Sequence, residues 1–139
     1  MTKAVIDTNV FVSSFFGGNP RAVIDVWKNG KVTLCLSKDI VDEYIEVFER
    51  LGLDRDREIK EILQLFATGF QIVFCHKTPH LKIIEDDPGD DKFIECAVAL
   101  KAQYIIFGDK HLLSVKDYMG IKILSPNQFL ENLELSLGG

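Results

Sequence analysis

The residues of this chain best suited to chemistry are carboxylates at the ends of apolar runs. Asp7 follows the apolar segment AVI and is followed, after Thr8 and Asn9, by a second apolar run. Asp109 likewise ends the segment YIIFGD. A partly desolvated carboxylate is costly unless a cation or several hydrogen-bond donors meet it. Asp7 and Asp109 are therefore candidate cation ligands.

A third candidate lies in SKDIVDEYIEVFERL, where the apolar spacing predicts a helix with Ser37 as its N-cap. The helical wheel turns Asp42 and Glu46 toward solvent, whereas Glu43 and Glu49 flank the apolar arc on opposite sides. The wheel does not choose between these two. Helices of a parallel α/β sheet begin at the edge where strands end, so Glu43, nearer the helix start, is the better candidate.

The fourth contribution comes from EDDPGDDKFIECAVALKA, where Pro88-Gly89 predicts a turn and Asp90-Asp91 stand at the start of a helix. Either acid alone is better explained as a helix cap. Several carboxylates converging on one edge would repel one another unless a divalent cation joined them. A ligand set of oxygens alone, with no His or Cys spacing, favours Mg²⁺ or Mn²⁺ over zinc.

Short apolar runs alternate with helical patterns along the chain, which is typical of a parallel α/β sheet. Strands are predicted at 3–7, 32–36, 71–75, 104–107 and 121–124. Helices are predicted at 20–28, 38–51, 55–67 and 92–102, with a last helix after Ser125 as N-cap.

Right-handed crossovers between these strands predict a three-layer α/β/α, doubly wound sandwich with a mainly parallel sheet of about five strands. Residues 1–139 would form a single domain, a usual size for one core. Ligands of such sheets bind beyond the carboxyl ends of the strands, where the winding reverses. The strands that end in Asp7 and in Gly108-Asp109 would meet at that edge.

Composition narrows the classes of function. The chain is 47% hydrophobic and 27% charged, as in soluble globular domains, and no apolar run or leader predicts a membrane protein. We expect a cytoplasmic protein, in which the three cysteines form no disulfide framework. The net charge of −5 is the wrong sign for binding nucleic acid by electrostatics alone, so a polyanionic substrate would require a bound cation.

The blocks VIDTNVFVSS, SKDIVDEYIEVF, DPGDDKFIECAVALKAQYIIFGDKHLL and IKILSPNQFLENL together resemble the PIN domain. The similarity covers nearly the whole chain and extends to the prokaryotic branch linked to toxin–antitoxin systems and related to the VapC-type ribonucleases. This resemblance implies a Mg²⁺- or Mn²⁺-dependent endoribonuclease, often dimeric and often neutralised by an antitoxin protein.

The family's acids fall on Asp7, Glu43, Asp91 or Asp90, and Asp109. These four positions are the expected catalytic residues and metal ligands, and Asn9 matches an asparagine that could hold the site in register. Family members differ by one residue at the third acid, so Asp90 is the alternative to Asp91 and otherwise an outer-shell acid. Phe107 stands where the family usually has a hydroxyl residue, which puts catalytic efficiency in doubt.

The expected reaction is metal-assisted phosphodiester hydrolysis, with single-stranded RNA as the favoured substrate. Lys92, Lys110 and Lys116 could steer the RNA backbone, although scattered lysines more often serve solubility. One rival is a catalytically weak or inactive PIN-like module that binds RNA or protein. A phospho-acceptor receiver domain is a weaker rival, because its acceptor aspartate and final lysine are missing from the ends of the predicted strands.

Overall fold

The computed structural model describes residues 2–53, 56–79, 91–108 and 117–138. A six-stranded sheet forms its centre, in the order β3-β2-β1-β4-β6-β5. Its strands are β1 (Lys3–Ile6), β2 (Thr33–Ser37), β3 (Ile72–Cys75), β4 (Tyr104–Ile106), β5 (Asp117–Tyr118) and β6 (Ile121–Leu124). Five strands run parallel, and β5 pairs antiparallel with β6 at one edge.

Helices flank this sheet as the alternating pattern predicts. Among the described residues they are α1 (Thr8–Ser14), α2 (Gly18–Lys28), α3 (Lys38–Arg50), α4 (Arg57–Thr68), α5 (Asp91–Leu100) and α6 (Pro126–Gly138). Helix α5 packs across β1 to β4, whereas α6 packs on β4, β6 and α2. The predicted three-layer α/β/α sandwich with a mainly parallel sheet is confirmed. None of the described helices has the length and hydrophobicity that crossing a bilayer requires.

The sequence-based boundaries are close, and the helix caps explain why. The Ser37 hydroxyl accepts from the Ile40 amide at 3.4 Å, and the Ser125 hydroxyl accepts from the Gln128 amide at 3.2 Å. Gln128 returns the bond by accepting from the Ser125 amide at 3.0 Å, which completes a capping box. The end of α5 was less predictable, because the residue that stops it is Lys101, with φ at +56°, rather than a glycine.

Two elements were missed. Helix α1 has the sequence TNVFVSS, whose β-branched and hydroxyl residues have low helix propensity. It is stabilised by burial of Val10 and Phe11, a tertiary effect that local sequence does not encode. Strand β5 has two residues, too few to show an alternating pattern.

An aromatic cluster fills the core between α1 and its neighbouring helices. Its members are Phe11, Trp27, Tyr44, Phe48 and Phe66, and the ring of Phe11 touches the other four at centroid distances of 4.8 to 6.5 Å. The Trp27 indole donates to the carbonyls of Phe70 and Gln71, both at 3.2 Å. This cluster fixes α1 and α3 against the end of β1, where the candidate site lies.

Candidate functional site

Asp7 lies where the winding of the sheet reverses. Strands β2 and β3 lie on one side of β1, and β4, β6 and β5 lie on the other. The Asp7 amide donates to the Ile106 carbonyl at 2.9 Å, which ties the ends of β1 and β4 together. Asp7 is 3% exposed, and it is the N-cap residue of α1 although its side chain makes no capping bond. The carboxylate instead faces the segment that follows β4, where the Gly108 amide donates to its Oδ2 at 3.5 Å.

Gly108, the last described residue before Asp109 in the sequence, lies alongside Asp7 and the start of α1. A Cβ atom added to Gly108 would lie 3.8 Å from Asn9 Cβ and 3.9 Å from Val10 Cγ2, so its main chain lies against the start of α1. Asn9 is itself exposed. Asp109 and Lys110 lie outside the described residues, so their roles remain predictions.

Asp91 is the first residue of α5 and is 6% exposed. Lys92, the next residue of α5, pairs with Glu43, and Glu43 also accepts a hydrogen bond from Thr8 beside Asp7. The first turn of α5 therefore lies at the same end of the sheet as Asp7. A helix N-terminus favours a negative charge, which lowers the cost of burying this carboxylate. Asp90 lies outside the described residues, so the choice between the two acids stays open.

Glu43 extends from α3 and is held by two side chains. One oxygen, Oε2, accepts a hydrogen bond from the Thr8 hydroxyl. The other, Oε1, lies 2.6 Å from Lys92 Nζ. Asp7, Glu43 and Asp91, named here the acidic edge, thus come from three different elements. Thr8 is a member of this arrangement that sequence reasoning did not single out, although it stands in the DTN block beside Asp7.

Tyr44 joins the acidic edge to the aromatic cluster. Its side chain is fully buried, and its hydroxyl donates to the Ile6 carbonyl, immediately before Asp7. Burial raises the pKa of Tyr44 well above its usual value, and the charges of Asp7 and Glu43 raise it further. The hydroxyl therefore stays protonated and holds α3 against the end of β1.

The surface beside Glu43 is strongly acidic. A shallow depression of about 380 Å³ is lined by Asp39, Asp42, Glu43, Glu46 and Lys92. Asp42 and Glu46 are more than half exposed, in agreement with the helical wheel. An RNA backbone entering here would meet mostly like charge, which supports the expectation that a cation mediates its binding.

Phe107 is fully buried and packs edge-on against Phe93 of α5, with ring centroids 5.5 Å apart. The aromatic residue at this position therefore braces α5 against the end of β4. Where the family pattern has a hydroxyl residue, this chain has Phe107, which packs on Phe93. Phe93 lies two residues after Asp91 in α5.

Divalent-metal binding can be tested against the donors that are present. The part of the chain that the structure describes contains no group of three or more acidic, histidine or cysteine side chains arranged to hold a metal. It does contain two carboxylates, Asp7 and Asp91, buried at one end of the sheet. An all-oxygen set with two buried carboxylates suits Mg²⁺ or Mn²⁺, and a third acid would be required beyond the described residues. The donor chemistry therefore fits a hard divalent cation.

Two comparisons with known proteins indicate the family to which this chain belongs. Residues 3–111 match the family model described as PIN domain. An uncharacterized protein of Methanocaldococcus jannaschii is 32% identical over 146 residues, an alignment that covers 95% of this chain and 92% of that protein. The family match spans the sheet reversal, α3 and α5, which carry every described member of the acidic edge. The chain therefore belongs to the PIN-domain family.

Proposed function

We propose that this protein is a divalent-metal-dependent endoribonuclease. PIN domains are typically nucleases, so membership of the family indicates phosphodiester hydrolysis in general. The observation that carries the finer proposal is the burial of Asp7 at the switch point, beside the chain that leads to Asp109. A buried carboxylate aimed at a strand end is costly for folding, and cation binding is the function that best accounts for it.

Asp7, Asp91 and Asp109 would hold a Mg²⁺ or Mn²⁺ ion, with Glu43 at the rim of the same site. When bound, the ion would polarise the scissile phosphate and lower the pKa of water, so that hydroxide is available as the nucleophile near neutral pH. The protein's own part is orientation. Thr8 and Lys92 fix the Glu43 carboxylate, while the Tyr44 hydroxyl keeps α3 docked on β1.

RNA is the proposed substrate, and single-stranded RNA fits best. The depression beside Glu43 is shallow and open, so a flexible strand could bring a phosphate to the edge of the sheet, whereas a rigid duplex would meet the acidic surface along its length. Lys110 and Lys116 remain candidates for steering the backbone. Lys92 is already paired with Glu43, which limits the part that it could take in steering.

The direct test is cleavage of a labelled single-stranded RNA with Mn²⁺, without added metal, and with excess EDTA. We expect cleavage in the sample with Mn²⁺ and none in the other two. Asp7→Asn should lower it by on the order of a hundredfold or more, because losing one charge-stabilising group costs about that much. Cleavage that persists in EDTA would refute the metal mechanism. A folded protein that binds RNA without cutting it would instead favour the binding-module alternative.

We further propose that the enzyme is the toxin of a toxin–antitoxin pair, with a homodimer as its working form. The support is the similarity of its sequence blocks to that branch of the family. Inducing the wild-type protein in a bacterial host should arrest growth, and inducing Asp7→Asn at the same level should not. Unchanged growth beside proven RNA cleavage would separate the nuclease from the toxin role. Gel filtration would test the dimer.

A further inference from the structure

The contacts of Glu43 distinguish it from the other members of the acidic edge. Its ion pair with Lys92 is 2.6 Å long, and the two side chains are 25% and 22% exposed. The pair between Lys38 and Asp42 on the same helix is 80% and 59% exposed. Exposed pairs of that kind hold side chains weakly, whereas a largely buried pair fixes both partners. Both oxygens of Glu43 are engaged, since Thr8 donates to the second.

The two residues that hold Glu43 are chain neighbours of the two buried carboxylates. Thr8 follows Asp7, and Lys92 follows Asp91. Glu43 is therefore a bridge between the start of α1 and the start of α5. Rotation of its carboxylate away from these partners would loosen the contact between those two helix starts.

The charge of Lys92 matters for cation binding. In the depression beside Glu43, Lys92 is the cation among four lining carboxylates. A divalent ion bound to Glu43 would come close to the Lys92 ammonium, and like charges at such a separation repel strongly when partly desolvated. Many two-metal nuclease sites place their ions about 4 Å apart. Here a protein cation already lies against the carboxylate that could serve a second ion.

We propose that Lys92 is a positioning residue that takes the place of a second divalent ion. Its ammonium neutralises and orients Glu43, so that the site binds one divalent cation, held by the remaining acids. This inference rests on the proposed metal-dependent function and specifies how many ions that function uses.

Calorimetric titration of the whole protein with Mn²⁺, in the absence of RNA, measures this number. We expect one equivalent for the wild type and a second, weaker equivalent for Lys92→Met, in which Glu43 is released. Lys92→Arg should restore a single equivalent, because it keeps the charge. Lys38→Met is the matched control, since it removes a cation from the exposed pair on α3 and should leave one equivalent.

The outcomes separate the inference from the function. Two equivalents in the wild type, or a single equivalent in Lys92→Met, would overturn the role of Lys92 and leave the metal-dependent nuclease intact. No binding to the folded wild type would instead refute the proposed function. If Lys92→Met fails to fold, Glu43→Gln decides, because it should still bind one ion. Loss of that ion would mean that Glu43 is a ligand and would overturn the inference.

Discussion

The aromatic cluster and the acidic edge are neighbours, but burial of side chains is favourable in the first and costly in the second. The aromatic cluster buries apolar rings, each of which gains from leaving water. The acidic edge buries the carboxylates of Asp7 and Asp91, each of which loses hydration. The aromatic cluster therefore stabilises the fold, and this stability offsets the cost of burying the carboxylates of the acidic edge. Tyr44 belongs to the first region and contacts the second through the Ile6 carbonyl.

Substitutions in the two regions should therefore have different effects. A change in the aromatic cluster should reduce stability first and activity only as a consequence. A change in the acidic edge should reduce activity first and can even stabilise the metal-free protein, as is common where function requires strained or repelling groups.

Phe11→Ala should have the largest effect on stability. Phe11 is fully buried and touches four aromatic rings, so its truncation should cost about 3–5 kcal/mol of unfolding free energy. Phe16→Ala is the matched control, because Phe16 is 85% exposed and its loss should change stability by less than about 0.5 kcal/mol. Urea unfolding of both variants measures the contrast, and equal losses would show that the cluster is not the stabilising region.

Asp91→Asn should lower turnover by on the order of a hundredfold, and Asp90→Asn by much less. The reason is burial, since Asp91 is 6% exposed at the start of α5 and is oriented by the packing of that helix. RNA cleavage by both variants at saturating Mn²⁺ decides between the two acids. An inactive Asp90→Asn beside an active Asp91→Asn would reverse the assignment.

Mn²⁺ should stabilise the wild type more than Asp109→Asn. A ligand at a hundredfold excess over its dissociation constant adds about 2.7 kcal/mol to the free energy of unfolding. Without metal, the substitution should stabilise the protein slightly, because it removes a charge that repels the other acids. Thermal unfolding with and without Mn²⁺ measures both effects. Equal shifts in melting temperature would exclude Asp109 as a significant ligand.

Alkaline pH should produce the smallest effect, and it acts through the core rather than the edge. Burial raises the pKa of the Cys35 thiol from 9.0 to about 12, and it also raises the pKa of the Cys96 thiol. Below pH 9 both the folded and the unfolded chain keep most of these protons, so the free energy of unfolding does not depend on the two thiols. Above pH 9 the unfolded chain loses them first, and stability falls as the pH rises toward 12.

Cys35→Ala tests this behaviour. The substitution should make the decline between pH 9 and pH 10 shallower by up to about 1.4 kcal/mol of unfolding free energy, the value of one retained proton per pH unit. Urea unfolding at the two pH values gives the slope. A slope unchanged from that of the wild type would show that the Cys35 thiol does not contribute.

Much of this architecture could be predicted from the order of the residues. The parallel strands, their flanking helices and the caps at Ser37 and Ser125 follow from local patterns that the structure confirms. Helix α1 could not be predicted in this way, because TNVFVSS has low helix propensity and its burial of Val10 and Phe11 depends on the rest of the fold. Local propensity and tertiary packing disagree at that segment, and packing prevails.

The elements that carry the candidate site could be predicted from the sequence, whereas the contacts between its side chains could not. Asp7 at a strand end and Glu43 near a helix start follow from the topology of the sheet. The hydrogen bond from Thr8 to Glu43 and the ion pair between Lys92 and Glu43 depend on side-chain conformations in α1, α3 and α5. No single stretch of sequence encodes these conformations. The burial of Phe107 against Phe93 is likewise a contact between distant segments.

Anomalous diffraction from crystals soaked in Mn²⁺ would locate the bound ion without relying on activity. We expect one strong peak coordinated by carboxylate oxygens of Asp7, Asp91 and Asp109, with Glu43 still paired to Lys92. A folded, soaked protein with no peak at the carboxyl ends of β1 and β4, or with its only peak elsewhere, would contradict this expectation.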